Sequence, residues 1–371
     1  MPGEASVRVR RGAALMFYNL PRMTGDKDLV FFDPLAAPEE LWAAHYDHLD
    51  AISRELDPDE PLLPRAKRRE MLLALLEVRY TNKYTWLLMA GGAAAGYLWL
   101  SVENLKSPTY GANKASAQMK LSVAPGSRRR GLGRRLLAFA AAELAAREPQ
   151  VKEVLSPVMT EEGKLFIEAA GAALSLEQAE NRLLLSEVDW SGVERWAEEG
   201  KRRNPGTSVL AVTSIPEEDI AEYARIYSET MNQQPLGDIN LTIAVTPAQI
   251  RLGERKQKEL GATHLTMYCK DPDGSVAGLT EIHYMPESGH RVWQFLTGVR
   301  EPCRGRGLGK MLKALMLLHI RRTWPEVKYV STSNAGSNAP MMAINKALGF
   351  KKRRPVLIYK LLLSGVEGRM E

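Results

Sequence analysis

The pattern of hydrophobic and polar positions runs through the same succession of elements twice along the chain. In each half, two helical stretches precede a pair of strands around a turn, a third strand, an arginine-rich loop and a long helix. A buried strand, a short helix and a final hairpin then close each half. Periods near 3.6 residues mark the helices, and alternation marks the strands. We therefore predict two copies of one α/β domain.

The predicted bounds follow from these periods and from turn signals such as Asp271-Pro272-Asp273-Gly274. The first copy is predicted to have helices over 39–56, 65–80 and 131–147 and strands over 84–90, 96–102 and 117–123. The second is predicted to have helices over 217–231, 247–260, 307–322 and 338–348 and strands over 264–270, 275–284, 292–299, 327–332 and 355–363.

Two independent landmarks give one repeat period. The arginines that open the two loops, Arg128 and Arg304, lie 176 residues apart. Pro38 and Pro216, each followed by two glutamates at a predicted helix start, lie 178 apart. A period this long indicates a duplicated domain. We expect an N-terminal arm over 1–27, a first domain over 28–189, a linker over 190–204 and a second domain over 205–371.

Composition narrows the class of protein. The 371 residues are 45% hydrophobic and 25% charged, which is ordinary for globular domains. Only two cysteines occur, too few for a disulfide framework or a thiolate zinc site, and they fit a reducing cytoplasm. The longest uncharged stretch, 84–102, has a glycine-rich middle that favours a hairpin over a membrane span. A net charge of +6 favours an anionic ligand.

The arginine-glycine loop is the strongest candidate for a binding site. Each loop follows a predicted strand and opens a helix, so glycines allow close approach and helical N–H groups face an anion. Arginines add charge-assisted contacts. This combination predicts a pyrophosphate site. The two loops read Arg128-Arg129-Arg130-Gly131-Leu132-Gly133 and Arg304-Gly305-Arg306-Gly307-Leu308-Gly309.

An Arg-x-x-Gly-x-Gly loop between a strand and a helix resembles the acyl-coenzyme-A loop of the GNAT N-acetyltransferase superfamily, and the strand order of both copies is similar. The resemblance implies tandem GNAT domains of the α/β (α+β) class, each a mixed, mainly antiparallel sheet flanked by helices. It also implies acetyl-CoA as cosubstrate and pairing of its pantetheine arm with the strand before the loop. The implied cofactor-binding residues are Leu296, Thr297, Gly298, Val299, Arg304, Gly305, Arg306, Gly307, Leu308, Gly309, Lys310 and Asn338, with Val123, Arg128, Arg129, Arg130, Gly131 and Gly133 in the first copy.

A late strand–helix block of the second copy, residues 334–350, is also similar to tandem bacterial GNAT proteins. Many GNAT enzymes carry, four residues before the Gly-Phe pair, a tyrosine that acts as the general acid. This chain has Asn345 there, and Ile167 stands at the matching position of the first copy. Asn345 can hydrogen-bond a thiolate or a water but cannot supply a proton. Asn338 is explained equally well as a helix cap.

The clearest difference between the copies is Glu281, which aligns with Trp99. A carboxylate on a central strand can remove a proton from an amine, directly or through water. Binding of a cationic acceptor and simple exposure to solvent are the alternatives. His283 on the same strand face is a weaker candidate, and Cys303 lacks an identifiable base partner.

We therefore expect a cytoplasmic N-acetyltransferase that moves an acetyl group from acetyl-CoA directly to an amine, with Glu281 and Asn345 as the catalytic candidates. The first copy, which lacks both, is expected to be degenerate. The open alternatives are another acyl donor, a hydroxyl acceptor, or an acyl-CoA sensor without turnover. Nucleic-acid binding through 128–135 and 351–354 is not expected, because no aromatic residues are interleaved there, and no membrane partner is expected.

Overall fold

The computed structural model describes residues 26–365 of the chain, and residues 1–25, most of the predicted arm, lie outside the described residues. The first copy contains the predicted elements and two short additional ones, β1 and α3. Its elements are β1 (Leu29–Phe31), α1 (Glu39–Leu56), α2 (Arg65–Leu76), β2 (Thr81–Ala90), β3 (Ala93–Glu103), α3 (Tyr110–Asn113), β4 (Ser116–Val123), α4 (Leu132–Arg147), β5 (Glu153–Val158), α5 (Glu161–Ala169) and β6 (Ala173–Leu184).

The second copy repeats this order, and the bounds predicted for its helices and strands agree with the structure to within four residues. Its elements are α6 (Trp190–Arg203), β7 (Ser208–Val212), α7 (Ile220–Asn232), α8 (Pro247–Glu259), β8 (Thr263–Lys270), β9 (Val276–Tyr284), β10 (Arg291–Val299), α9 (Leu308–Thr323), β11 (Tyr329–Ala335), α10 (Ala339–Leu348) and β12 (Lys351–Leu362).

All twelve strands of the described residues form one continuous sheet, in the order β1-β2-β3-β4-β5-β12-β6-β11-β10-β9-β8-β7. Neighbouring strands are antiparallel except for β4 with β5 and β10 with β11. Helices cover both faces: α4 packs against β3 and β4, and α9 against β9 and β10, while α1 and α7 lie on the opposite face. The predicted fold class, mixed and mainly antiparallel sheets flanked by helices, is confirmed.

The prediction of a closing hairpin in each copy is wrong. The last strand of each copy crosses to the other copy: β12 lies between β5 and β6, and β6 pairs with β11. Alternation of apolar and polar residues indicates which face of a strand is buried, but it does not indicate which strand lies beside it. The exchange joins the two sheets and removes an exposed edge from each.

The segment predicted as a linker is the helix α6. Its Val193 and Ala197 are buried in the same apolar cluster as Met311 and Leu312 of α9. The linker is therefore packed against the second copy rather than extended between the two.

Charged contacts join the copies beside the exchanged strands. Glu60, in the loop between α1 and α2, accepts hydrogen bonds from Tyr329 at 2.6 Å and His290 at 2.9 Å and pairs with Arg182 at 2.9 Å. Burial disfavours its charged form, but these partners outweigh burial and lower the pKa of Glu60 to about 2. The loop of the first copy is thus held by a charged cluster against the second.

Candidate functional site

In both copies the arginine-glycine loop leads into the N-terminus of a long helix. Gly131 and Gly307 are the N-cap residues of α4 and α9 and have left-handed φ values of 77° and 83°. Glycine adopts this conformation without steric cost, and its missing side chain leaves the first N–H groups of the helix open to a ligand. These groups and the helix dipole favour an anion. The backbone therefore has the form that a pyrophosphate site needs.

The loops hold the same backbone shape with different residues. Gly305 has a φ of 79°, and its counterpart Arg129 has a φ of 62°. Arg129 is the one residue other than glycine with a positive φ in the described part of the chain. The left-handed conformation costs a residue with a Cβ atom about 1–2 kcal/mol. The first copy keeps the loop shape despite this cost.

The strand before each loop separates from its parallel neighbour. The paired residues of β10 and β11 end at Trp293, and those of β4 and β5 end at Gln118. Each strand then continues for five or six residues, still paired on its other side, towards the loop. The residues that the family resemblance assigns to the pantetheine arm, 296–299, lie on this opened part of β10. A Cβ atom on Gly298 would lie 2.6 Å from that of Thr230, which explains the glycine there.

The loop arginines have different surroundings. Arg304 is exposed and hydrogen-bonds Gln233 at the end of α7. Arg306 makes two contacts of 2.7 Å with Asp271 and one of 2.9 Å with Asn204. Its guanidinium therefore anchors the loop. Only the backbone N–H of Arg306 then remains to contact a phosphate. In the first copy, Arg128 pairs with Glu55 on α1 and donates to the carbonyl of Val123.

The other predicted cofactor residues differ in exposure. Arg130 and Lys310 are exposed, and the Lys310 ammonium lies 5.0 Å from the centre of the Trp196 ring. Leu308 is buried, and Asn338 caps α10 by accepting a 3.3 Å hydrogen bond from the N–H of Met341. The capping role expected as the alternative for Asn338 is therefore present.

Glu281 is a buried carboxylate on the face of β9 that packs against α7. The Tyr223 hydroxyl donates to it at 2.6 Å, and the His264 Nε2 lies 3.4 Å from the same oxygen. On the neighbouring strand, the pairing of β10 with β9 shifts register between Gln294 and Thr297, so a bulge lies opposite Glu281. The aligned strands of the first copy, β3 and β4, pair without a shift.

The partners of Glu281 were not predicted from the sequence. Tyr223 and Tyr227 are four residues apart on α7, a spacing that puts both on one face of a helix and could have marked them. Burial and the charge of Glu281 raise the pKa of both tyrosines, so both remain neutral donors. Burial disfavours charged His264, but Glu281 outweighs burial and raises the pKa of His264.

Comparisons with known proteins agree with this geometry. Residues 42–160, in the first copy, match the model of the Acetyltransferase (GNAT) family. A tandem GNAT protein from the clavulanic acid biosynthesis pathway has a TM-score of 0.68 and 22% identity, with 90% of this chain and 98% of that chain covered. The chain has the fold of a tandem GNAT protein.

Two further proteins are similar to this chain. A mycothiol acetyltransferase of Cellulomonas flavigena is 27% identical over 270 residues, which cover 70% of this chain and 69% of the relative. A GCN5-related N-acetyltransferase from Sphaerobacter thermophilus has a TM-score of 0.59 and 19% identity, with 92% of this chain and 97% of that chain covered. The structural likenesses show the fold along nearly the whole chain.

Asn345 of the second GNAT domain is buried on α10. Its amide donates to the Asn334 side chain on β11 at 2.6 Å, and its Oδ1 has no hydrogen-bond partner among the described residues. Ile167, the counterpart in the first GNAT domain, is buried in an apolar cluster. A buried polar atom without a partner is costly in a closed core, so this position suits a neighbouring ligand in the second domain alone.

A small polar and aromatic surface surrounds Glu281. His283 Nε2 donates a 2.8 Å hydrogen bond to Oε1 of Gln257 on α8, and burial, aided by His264 and Arg291, lowers the pKa of His283 to about 4. Phe295, at the bulge, is half exposed and stacks against His264. His283 is thus a neutral hydrogen-bonding group beside the carboxylate.

The first GNAT domain holds the loop between α7 and α8 of the second. Asn113 of α3 donates to the carbonyl of Thr242 at 2.8 Å, and Thr242 donates back at 2.9 Å. Lys360, on the strand β12 that the second copy contributes to the first sheet, pairs with Asp238 of the same loop at 2.7 Å. The conformation of this loop therefore depends on the first domain.

The described residues contain neither a membrane-spanning helix nor a cluster of metal-ligating side chains. Within residues 26–365, no helix is long and apolar enough to cross a bilayer. The same residues contain no group of three or more histidine, cysteine, aspartate or glutamate side chains placed to hold a metal ion.

Proposed function

We propose that this tandem GNAT protein is an N-acetyltransferase that moves an acetyl group from acetyl-CoA directly to an amine, in its second domain. The observation that carries the proposal is the buried Glu281 carboxylate of β9. It lies opposite the bulge of β10, and β10 is the strand that leads to the open loop. A base beside the thioester is what amine acetylation needs. The GNAT family supports acetyl transfer in general.

In the proposed reaction, the acceptor ammonium first passes a proton to Glu281. The free amine nitrogen then attacks the thioester carbonyl carbon, the C–S bond breaks, and the coenzyme A thiolate leaves. The Glu281 side chain is 6% exposed, whereas that of His264, in contact with it, is 30% exposed. We infer that His264 or a water carries the proton inward. The Asn345 amide stabilises the thiolate by hydrogen bonding, and a water passes to the thiolate the proton that the attacking nitrogen releases as the amide forms.

The amine acceptor is proposed to enter beside Phe295 and the α7–α8 loop. A primary amine is favoured over a hydroxyl because a carboxylate–histidine pair attracts an ammonium ion before deprotonating it. The mycothiol acetyltransferase relative makes the acceptor of that enzyme a sensible member of a test panel.

The test is a screen of purified protein with acetyl-CoA and a panel of amines, with release of free coenzyme A thiol as the measurement. We expect thiol release that depends on one class of amine. Binding of acetyl-CoA by calorimetry without turnover on any amine would instead support the acyl-CoA sensor. Turnover restricted to alcohols, or faster turnover with longer acyl groups, would favour the corresponding acyltransferase alternatives.

Nucleic-acid binding is the remaining alternative. Arg353 and Arg354 pair with Asp57 at 2.5 and 2.9 Å, and Arg354 also pairs with Glu180 at 2.6 Å. These partners reduce the positive charge available for phosphates. Oligonucleotide binding that weakens steeply with salt would argue for this alternative.

A further inference from the structure

A serine–histidine pair lies in the first GNAT domain, at the place where its acyl-CoA strand opens. The Nε2 atom of His48 on α1 is 2.7 Å from the Oγ of Ser122 on β4, and its Nδ1 atom is 2.9 Å from the carbonyl oxygen of Ala94. A carbonyl oxygen only accepts hydrogen bonds, so Nδ1 of the neutral ring carries the proton. Nε2 is then an acceptor, and the Ser122 hydroxyl donates to it. This is the arrangement of an activated hydroxyl nucleophile.

The position of Ser122 relates the pair to the acyl-CoA loop. Ser122 lies beyond Gln118, where the pairing of β4 with β5 ends, and six residues before Arg128. By the repeat, it corresponds to Gly298, one of the residues expected to pair with the pantetheine arm. Helix α1 joins the two features, because it carries His48 and, two turns later on the same face, Glu55, the partner of Arg128.

The second domain shows that the fold does not need this pair. Its loop arginine Arg304 contacts Gln233, which is 178 residues after Glu55, the repeat period given by the helix starts. The same offset puts Ile226, which is fully buried, at the position of His48, and Gly298 stands at the position of Ser122. The second domain therefore closes this position with packing alone.

The surroundings suit a base that stays neutral. His48 is 2% exposed. Burial, reinforced by the charge of Arg128, lowers the pKa of His48 despite its bond to Ala94. Three residues earlier, His45 is also buried, its ring centre lies 5.7 Å from that of the same Tyr97, and its Nδ1 atom has no partner among the described residues. This buried Nδ1 is a polar group that a bound ligand would satisfy.

We propose that the first GNAT domain is a second acyl site, in which Ser122 takes the acyl group of an acyl-CoA as an ester and His48 acts as the base. The Ser122 oxygen attacks the thioester carbonyl carbon, its proton passes to His48 Nε2, the C–S bond breaks, and His48 returns the proton to the coenzyme A thiolate. Water, deprotonated by His48, then hydrolyses the ester to a carboxylate and free serine. The proposal rests on acyl-CoA binding by the loop of the first domain.

The experiment incubates the full chain with acetyl-CoA and no amine, and measures thiol release together with acetylation of the Ser122 peptide by mass spectrometry. We expect an acetyl group on Ser122, removable by hydroxylamine, or, if hydrolysis is fast, thiol release that depends on Ser122. Ser122→Gly, which installs the residue of the second domain, and His48→Gln should each lower acceptor-independent thiol release about 100-fold or more. Ser116→Ala, on the same strand, is the matched control and should leave release unchanged.

An unlabelled Ser122 together with thiol release unchanged in Ser122→Gly would overturn the proposal. Thermal melting of the variants separates misfolding from lost chemistry, because Ser122→Gly removes the nucleophile with little change in volume. The proposed amine acetylation is measured separately with an amine present. If the unsubstituted protein acetylates an amine but shows neither acyl transfer to Ser122 nor thiol release that depends on Ser122, this inference alone fails. If acetyl-CoA binds neither domain, both fail.

Discussion

The two GNAT domains share a loop backbone and differ in what surrounds the acyl position. Both have a left-handed glycine at the helix N-cap and a strand that separates from its neighbour before the loop. Around that opening, the second domain has a carboxylate, two tyrosines and an asparagine, whereas the first has a serine–histidine pair and apolar side chains. The phosphate site is built from backbone groups, so it can be kept when side chains change. The acyl chemistry depends on side chains, and these differ between the two domains.

The comparison also explains why one domain cannot be studied without the other. Each sheet is completed by the last strand of the other copy, and the α7–α8 loop is bound to α3. A domain expressed alone would expose the sheet edge that the exchange covers. Differences between the domains are therefore best tested by substitutions in the full chain.

The largest expected effect comes from placing an anion in each loop. Gly307→Glu should abolish turnover on an amine, because a carboxylate would meet the phosphate and the left-handed φ would be strained. Gly131→Glu in the first domain should spare most of it. Measurement of thiol release with a productive amine checks both, and Gly126→Glu, at an exposed glycine with open space around it, is the control for added charge. Reversed results would move amine acetylation to the first domain.

The next effect tests the base. Glu281→Gln keeps the shape of the side chain and removes its basicity, and a positioned base contributes roughly 10²–10⁴ in rate. We expect kcat on an amine to fall at least about tenfold with little change in acetyl-CoA affinity, and raised pH to restore part of the rate by supplying free amine. A raised KM with an intact kcat would indicate acceptor binding instead. Glu301→Gln, at an exposed acid, is the control and should change neither.

The loop and Glu281 could be singled out from the sequence because both are local signals. The loop is a contiguous motif between a strand and a helix, and Glu281 was found by aligning one strand with its copy. The partners Tyr223 and His264 were missed because they lie on other elements, and only the packing of α7 on β9 brings them to Glu281.

The strand exchange and the His48–Ser122 pair were missed for the same reason. The pair joins residues 74 positions apart, and neither residue belongs to a recognisable motif. The two copies have the same strand pattern, so the pattern does not indicate with which copy a closing strand pairs.

A smaller effect concerns the junction between the domains. Glu60→Gln removes the charge that Tyr329, His290 and Arg182 stabilise, and should lower the free energy of unfolding by roughly 1.5–3 kcal/mol near neutral pH. Because the folded pKa of Glu60 is lowered, its contribution is present above about pH 4.5 and is lost as pH falls towards about 2. Denaturant unfolding of both proteins at several pH values measures this. The difference between them should shrink in acid, and a constant difference would mean that the charge of Glu60 is unimportant.

The smallest effect uses the one position where the loops differ in strain. Arg129→Gly removes the cost of a left-handed residue with a Cβ atom, and Gly305→Ala imposes the same cost on the second domain, about 1–2 kcal/mol in each direction. Glycine also gains entropy in the unfolded chain, which offsets roughly 0.5–1 kcal/mol of the gain from Arg129→Gly. The same entropy difference offsets part of the cost of Gly305→Ala, so we expect Gly305→Ala to lower the free energy of unfolding by about 0–1.5 kcal/mol and Arg129→Gly to raise it by a similar amount. Denaturant melts measure both, and calorimetry with acetyl-CoA asks whether Arg129 also contacts a phosphate. Weaker binding by a more stable Arg129→Gly variant would mean that the first loop keeps its arginine for the ligand, and unchanged binding would mean that the backbone alone holds the phosphate there.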